Sequence, residues 1–451
     1  MKIVVPKPAS REAITRAAYA PPVAPDDPKL ADVLRRPGYL RLLVICGLVG
    51  IPVSGAAFGF LALEHELRNQ LWEALPDALG FAEVPWWWGI PSLIAGGLLV
   101  ALAVVKLPGG GGHVPADAVG PTPTEPAYLP GVLLAGLAGL CLGAVIGPEG
   151  ILIAVGGAVA LLLVPGRWRT GNPSDAALIG ASGAFAAIST ILGSPLIAAV
   201  FMIEAIGLGG ARLFAILLPG LLASGIGALM FTGLGDWTGI EIQTLEVPNV
   251  PEFPRPTIGD VLWAVPLGAG CALVAHAIRV ASRRALAIVR PRPFPLIPLA
   301  GALVGAAGGA YALITGHPPQ EALFSGQETI GTLVGDPGHW SDGELAVLVV
   351  CMGVGYALSL AAFRGGPIFP AVLIGVAMGT LVSGLPGLER AAAITIGMAG
   401  FAAAMLRMPL SAVVLAALLL APAGAGVVPV AIMAAIAAFV VTELIEAEST
   451  P

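Results

Sequence analysis

A single carboxylate, Glu149, sits in the stretch GAVIGPEGILIAVGG, residues 143–157, with no other charge between Glu125 and Arg167. Gly147, Pro148 and Gly150 surround it. A helix that begins at Pro148 loses nothing by the missing proline N–H, because the first N–H groups of a helix have no intrahelical partner. Those free N–H groups, together with the positive end of the helix dipole, form an anion site. Gly147 and Gly150 let backbone approach a ligand closely, and Ile151 offers a further N–H. A carboxylate at such a place can occupy the anion site itself and swing away when protonated. Glu149 is therefore a candidate gate and proton carrier. The plainer alternative is a first-turn acid that only complements the dipole, a gain of about 0.3–1 kcal/mol. A charge at membrane depth costs about 2.5–3.5 kcal/mol, so the plainer alternative leaves a deficit that a function would explain.

A second break, RGGPIFP at 364–370, offers another helix start, with Gly366, Ile368 and Phe369 as its candidate anion-binding residues. Two opposed helix starts near mid-membrane would hold an anion without a fixed Lys or Arg, which would bind too tightly to release it. The two breaks belong to an internal repeat. GAFAAISTILGSPL at 183–196 matches GMAGFAAAMLRMPL at 397–410 without a gap, and each is followed by a long apolar segment. Gly147 lies 48 residues before Pro195, and Gly365 lies 44 before Pro409. Repeats built on interrupted helices point to a transporter site at the midplane, although small residues and Pro are also common in packed membrane helices.

The elements that must position these breaks are membrane helices. The 451 residues are 57% hydrophobic and 11% charged, against about 25% charged for a soluble domain. Residues 42–63, 126–148, 176–203, 213–235, 345–363, 365–388 and 408–442 carry no Asp, Glu, Lys or Arg, and a spanning helix needs about 20 such residues. With 61 Gly and 41 Pro, plain rods are excluded. Broken backbone survives in lipid only where protein or a water-filled cavity covers it. The net charge of −6 and the lack of a basic stretch exclude a nucleic-acid partner. Cys46, Cys141, Cys271 and Cys351 are scattered, so neither a disulfide framework nor a metal site is suggested. The positive-inside rule, applied to Arg35, Arg36 and Arg41, to Arg167 and Arg169, and to Arg279, Arg283, Arg284, Arg290 and Arg292, places the N-terminus in the cytoplasm. Trp86, Trp87 and Trp88 then read as an interfacial belt on the outer side. The divisions expected are a polar tail over 1–38, membrane repeats over 39–212 and 213–441, and a short tail over 442–451.

These motifs resemble the CLC family of chloride channels and proton-coupled chloride antiporters over roughly residues 40–440. The family's GREGP motif appears as Gly147-Pro148-Glu149-Gly150-Ile151, its APLAGxLFxxE segment as GSPLIAAVFMIE at 193–204, and its GGxFxP region as Gly365 to Pro370. GMAGFAAAMLRMPLSAVVLAALL from 397 is similar to the segment late in the second half, and GSGIP is faintly visible in Gly111-Gly112-His113-Val114-Pro115. The resemblance implies an all-α polytopic membrane protein, an inverted repeat of about 18 tilted, broken and re-entrant helices, and a homodimer with one pore per subunit. It implies a divergent prokaryotic-type member without cytoplasmic nucleotide-sensing domains, in the cell membrane. It puts the gating glutamate at Glu149.

The departures carry as much. The family's anion-binding serine falls at Gly112, and its late anion-binding tyrosine falls near Thr450, so both side-chain donors are missing. His113 next to Gly112 is either a pore-facing N–H donor or a surface histidine. Pro367 replaces a residue that donates its backbone N–H. The antiporters' internal proton-transfer glutamate falls at Ala205. Its neighbour Glu204 is either a structural acid at a helix end or, with Glu149, part of a proton pathway. Arg364 either concentrates anions or caps a helix end, and Arg407 is expected at the cytoplasmic mouth. The expected function is transport of a chloride-like monovalent anion, channel-like or weakly proton-coupled. The alternatives are a proton-coupled antiporter with a non-standard inner route, or a membrane protein that kept the fold and lost transport. No cofactor is implied. No HExxH, GxSxG in a suitable context, or cluster of His and carboxylates suggests an enzyme.

Overall fold

A computed structural model of the chain describes residues 30–35, 38–117, 124–164, 173–207, 210–240, 245, 247, 250–336 and 338–449. Arg36, Arg167, Arg169 and Thr450 lie outside the described residues. Among the described residues there are fifteen α-helices of nine residues or more. They are α1 Tyr39–Asn69, α2 Gly89–Lys106, α3 Leu129–Leu140, α4 Glu149–Leu163, α5 Pro173–Ile191, α6 Pro195–Ile206 and α7 Gly210–Thr238. The rest are α8 Ile258–Val289, α9 Pro293–Thr315, α10 Gln327–Gly335, α11 Asp342–Ala362, α12 Ile368–Val382, α13 Arg390–Leu406, α14 Pro409–Leu419 and α15 Val427–Ser449. Shorter turns such as Leu30–Leu34, Leu75–Ala78 and Pro319–Ala322 account for the remaining helical pieces among the described residues. Residues 442–449, expected as part of a tail, continue α15.

Length decides which helices cross. Seven are long and apolar enough to span a membrane by themselves, among them Gly89–Lys106, Pro293–Thr315 and Asp342–Ala362. The helices that begin at the breaks, α4 and α12, are not. At 1.5 Å per residue, the 15 residues of α4 and of α12 extend about 22 Å, short of the roughly 30 Å hydrocarbon layer. Their N-termini therefore meet inside the protein.

The halves repeat in three dimensions. The series α3, break, α4, α5, α6, α7 matches α11, break, α12, α13, α14, α15. In the first, α4 packs on α5 and α5 on α7; in the second, α12 packs on α13 and α13 on α15. The division expected at 212/213 falls within α7. The close crossings use equivalent glycines. A Cβ on Gly156 would lie 2.4 Å from the Gly183 carbonyl oxygen, and one on Gly375 would lie 2.6 Å from that of Gly397. Small residues let membrane helices pack backbone to backbone. Pro195 and Pro409 each open their helix at its first position, where proline is tolerated.

Trp86 and Trp87 are exposed, in keeping with a belt. Trp88 is buried instead, and its indole N–H donates to the Leu71 carbonyl at 3.2 Å.

Gly183→Val should be badly tolerated, because its first added carbon already falls 2.2 Å from the Gly156 oxygen. Overpacking of this kind costs about 1–3 kcal/mol or more, so the purified variant should melt earlier or aggregate on size exclusion. Gly225→Ala, which meets nothing within 4 Å, should melt like the wild type.

Candidate functional site

The two breaks are paired with each other. The Gly147 N–H donates to the Gly366 carbonyl at 2.8 Å, and the Gly366 N–H donates back to the Gly147 carbonyl at 2.7 Å. This reciprocal antiparallel bridge is the arrangement a two-fold axis between inverted halves would produce. Around it, the Val145 N–H donates to the Ser359 hydroxyl at 3.1 Å. The Tyr356 hydroxyl donates to the Pro367 carbonyl at 2.6 Å. Buried backbone groups at membrane depth thus find partners within the protein.

Glu149 opens α4 and is 1% exposed. The sequence put Pro148 at the first helical position; it stands one place earlier as the N-cap, its carbonyl accepting from the N–H groups of Ile151 at 3.1 Å and Leu152 at 2.9 Å. The Glu149 side chain leaves its own helix and reaches the start of the other half. Its Oε1 accepts the Ile368 N–H, with the Phe369 N–H beside it. Oε2 is buried without a protein partner. Glycines make the room. A Cβ on Gly147 would fall 2.0 Å from Glu149 Oε2, one on Gly366 2.1 Å from its Cδ, and one on Gly150 2.2 Å from the Gly365 oxygen.

The anion-binding residues expected from sequence therefore divide. Glu149, Gly150, Ile368 and Phe369 converge. Gly147 and Gly366 stand at the same place, but their N–H groups are occupied by each other, so they contribute space rather than donors. The Ile151 N–H is turned back onto Pro148 and its side chain packs on Gly136. Gly112 has φ +100° and lies against Val132, while His113 is exposed. Neither has a contact with the two helix starts among the described interactions. Their loop continues into Pro115, Ala116 and Asp117, which line a cavity that reaches Pro367.

Two cavities approach the bridge from opposite sides. One, about 40 Å³, is lined by Glu64, His65, Arg68, Phe324 and Ser325 and ends on Pro148. The other, about 370 Å³, is lined by Asp117, Ala205, Arg279, Arg283 and Arg407 and ends on Pro367. Helix α9 separates them: its 23 residues, about 34 Å long, run from the Arg292 end to the loop that walls the smaller cavity. Around the larger cavity, Arg279 pairs with Glu446 at 2.5 Å, and Arg407 pairs with Glu443 at 2.5 Å and Glu446 at 3.0 Å. Arg407 thus stands at a cavity mouth. It holds a left-handed φ of 58°, uncommon for a side chain with a Cβ.

Arg364 is buried and caps. Its guanidinium donates to the carbonyls of Ala362 at 3.3 Å, Phe363 at 3.1 Å and Gly110 at 3.4 Å, tying the end of α11 to the 108–112 turn. Glu204 caps across the repeat. Its two carboxylate oxygens accept the N–H groups of Leu410 at 2.9 Å and Ser411 at 2.6 Å, at the start of α14. It does not meet Glu149. Tyr356 was missed from sequence as a site residue, because nothing local marks one buried tyrosine eleven residues before Pro367.

Residues 96–442 match the family described as voltage gated chloride channel. The chain is 26% identical over 336 residues to "Putative ion-transport protein YfeO" of Escherichia coli O139:H28 (strain E24377A / ETEC), covering 74% of this chain and 77% of that one. A slow cyanobacterial Cl-/H+ antiporter superposes with TM-score 0.69 at 19% identity, over 90% of this chain and 95% of its own. A CLC-type fluoride/proton antiporter superposes with TM-score 0.63 at 16% identity, over 89% and 96%.

Glu204→Ala should lower the melting temperature, because charged caps contribute about 1–3 kcal/mol. Glu204→Gln, which keeps one acceptor oxygen, should recover part of the loss. Equal melting of all three proteins would remove the cap from the account.

Proposed function

As a member of the voltage-gated chloride channel family, the chain is an integral membrane protein, and we propose that it conducts small monovalent anions across the membrane past Glu149 as a gate. One observation carries this reading: the carboxylate of one half sits on the Ile368 N–H of the other. A helix start that offers backbone N–H groups is suited to an anion that must also leave, and Glu149 holds that place while it is closed. When a proton neutralises Glu149, or an anion displaces it, the N–H groups of Ile368 and Phe369 pass to the anion. The cavities ending on Pro148 and Pro367 supply the approach from either side.

Little or no proton coupling is proposed. Ala205 lines the larger cavity where the antiporters carry a glutamate. The neighbouring Glu204 holds two N–H groups of α14, and Asp117 pairs with Arg290 at 2.5 Å. With no serine at Gly112, the site has few side-chain donors, which favours weak binding and broad selectivity among chloride-like anions. The Tyr356 hydroxyl, which donates to the Pro367 carbonyl, is a side chain that could turn to a passing anion. The Arg279, Arg283, Arg290 and Arg292 end is placed in the cytoplasm with the N-terminus by the positive-inside rule, in the cell membrane. A homodimer with one pore per subunit completes the proposal.

Anion efflux from liposomes, with chloride, nitrate and fluoride compared and internal pH recorded, tests it. Wild-type efflux should rise as the medium is acidified, with little proton movement, and Glu149→Gln should transport at a rate independent of pH. An unchanged pH dependence in the variant would remove Glu149 as the gate. No efflux from either protein would favour a fold kept without transport.

A further inference from the structure

His317, Glu321 and His339 come together at the end of the fold that carries the smaller cavity. Each offers a ligand atom within 4.8 Å of the others. No cluster of His and carboxylates is legible in the sequence, because His339 lies 22 residues from His317 and the spacing matches no metal motif. The fold closes the distance. Helix α9 ends at Gly316, whose φ of 79° turns the chain. His317 and Glu321 then stand one turn apart, and His339 returns just ahead of α11.

We infer that His317, Glu321 and His339 form a binding site for a zinc-class divalent cation on this face. His339 Nε2 is 3.3 Å from Glu321 Oε1 and His317 Nδ1 is 3.7 Å from Glu321 Oε2. Tetrahedral zinc with bonds of about 2.0–2.1 Å places its ligand atoms about 3.4 Å apart. The observed separations need only small ring movements to reach that. Two imidazoles and one carboxylate, with water in the fourth position, are a donor set zinc accepts.

A second observation is independent of the ligand distances. Glu321 is oriented from behind, as metal-binding carboxylates are. The Tyr311 hydroxyl donates to Oε2, the Trp340 indole N–H donates to the same oxygen at 3.1 Å, and Trp340 also donates to the Tyr311 hydroxyl at 2.8 Å. This leaves Oε1 facing His339. The side chains are half-buried rather than sealed: 17% exposed for His317 and Glu321, and 34% for His339. A cavity of about 240 Å³ lined by Glu321 and Trp340 gives a route in.

The loop that carries Glu321 continues into Phe324 and Ser325, which line the smaller cavity. Three residues past Glu321, the Phe324 N–H donates to the Gly143 carbonyl at 3.3 Å, just ahead of the first break. A cation at His317 and Glu321 would brace this loop.

Binding is measured directly, so the result does not depend on transport. The full-length chain, purified without a polyhistidine tag, is titrated with Zn²⁺ by calorimetry against a competing chelator, and with Co²⁺ by visible absorption. One Zn²⁺ per chain and intense four-coordinate Co²⁺ bands are expected. His317→Gln, His339→Gln and Glu321→Gln should each weaken Zn²⁺ binding about tenfold or more, and Tyr311→Phe about tenfold, as second-layer partners do. Wild type that binds no Zn²⁺, or binds it no more tightly than the His317→Gln/His339→Gln double variant, would overturn the assignment.

Discussion

Two hydrogen bonds between Gly147 and Gly366 are what the rest of the structure depends on. Interrupting a helix inside a bilayer exposes backbone groups that cost several kcal/mol each if left unpaired. Here two interruptions satisfy one another, and they do so reciprocally. That pairing sets α4 and α12 start to start, which brings the Glu149 carboxylate to the Ile368 N–H. The remaining helices are then constrained to approach closely enough to bury the bridge. The crossings at Gly156 with Gly183 and at Gly375 with Gly397 meet that demand in each half.

The same constraint explains why the site contains so little chemistry of its own. Backbone N–H groups at helix starts are fixed dipoles, and they need no side chain to present them. On the proposed reading, glycine at position 112 leaves these backbone donors in place. The charged residues do other work. Arg364 ties carbonyls at the end of α11, Glu204 holds the start of α14, and Arg407 pairs with α15. Each secures a helix of the second half.

Sequence made the local part of this legible. Glu149 stood out because no other charge lies near it, the Gly/Pro breaks because they interrupt apolar runs, and the repeat because its segments align without a gap. The apolar segments read after Pro195 and Pro409 are helices. What the sequence did not reveal depends on contacts far along the chain. Nothing near Gly147 names Gly366 as its partner, and nothing near Glu204 names Leu410 and Ser411. The donor expected of Ile151 is lost to a tight first turn at Pro148. Trp88 looked like its two neighbours but turns inward. The His317, Glu321 and His339 group is invisible at their sequence spacing and appears only when α9 and α11 are packed together.

The central claim is that the Glu149 carboxylate stands in an anion's place between the starts of α4 and α12. Anomalous diffraction from crystals of Glu149→Ala grown with bromide tests it most directly. The account predicts a bromide peak within hydrogen-bond distance of the Ile368 N–H, where the carboxylate was. An ordered, bromide-free gap at that position, with the bridge between Gly147 and Gly366 intact, would contradict it.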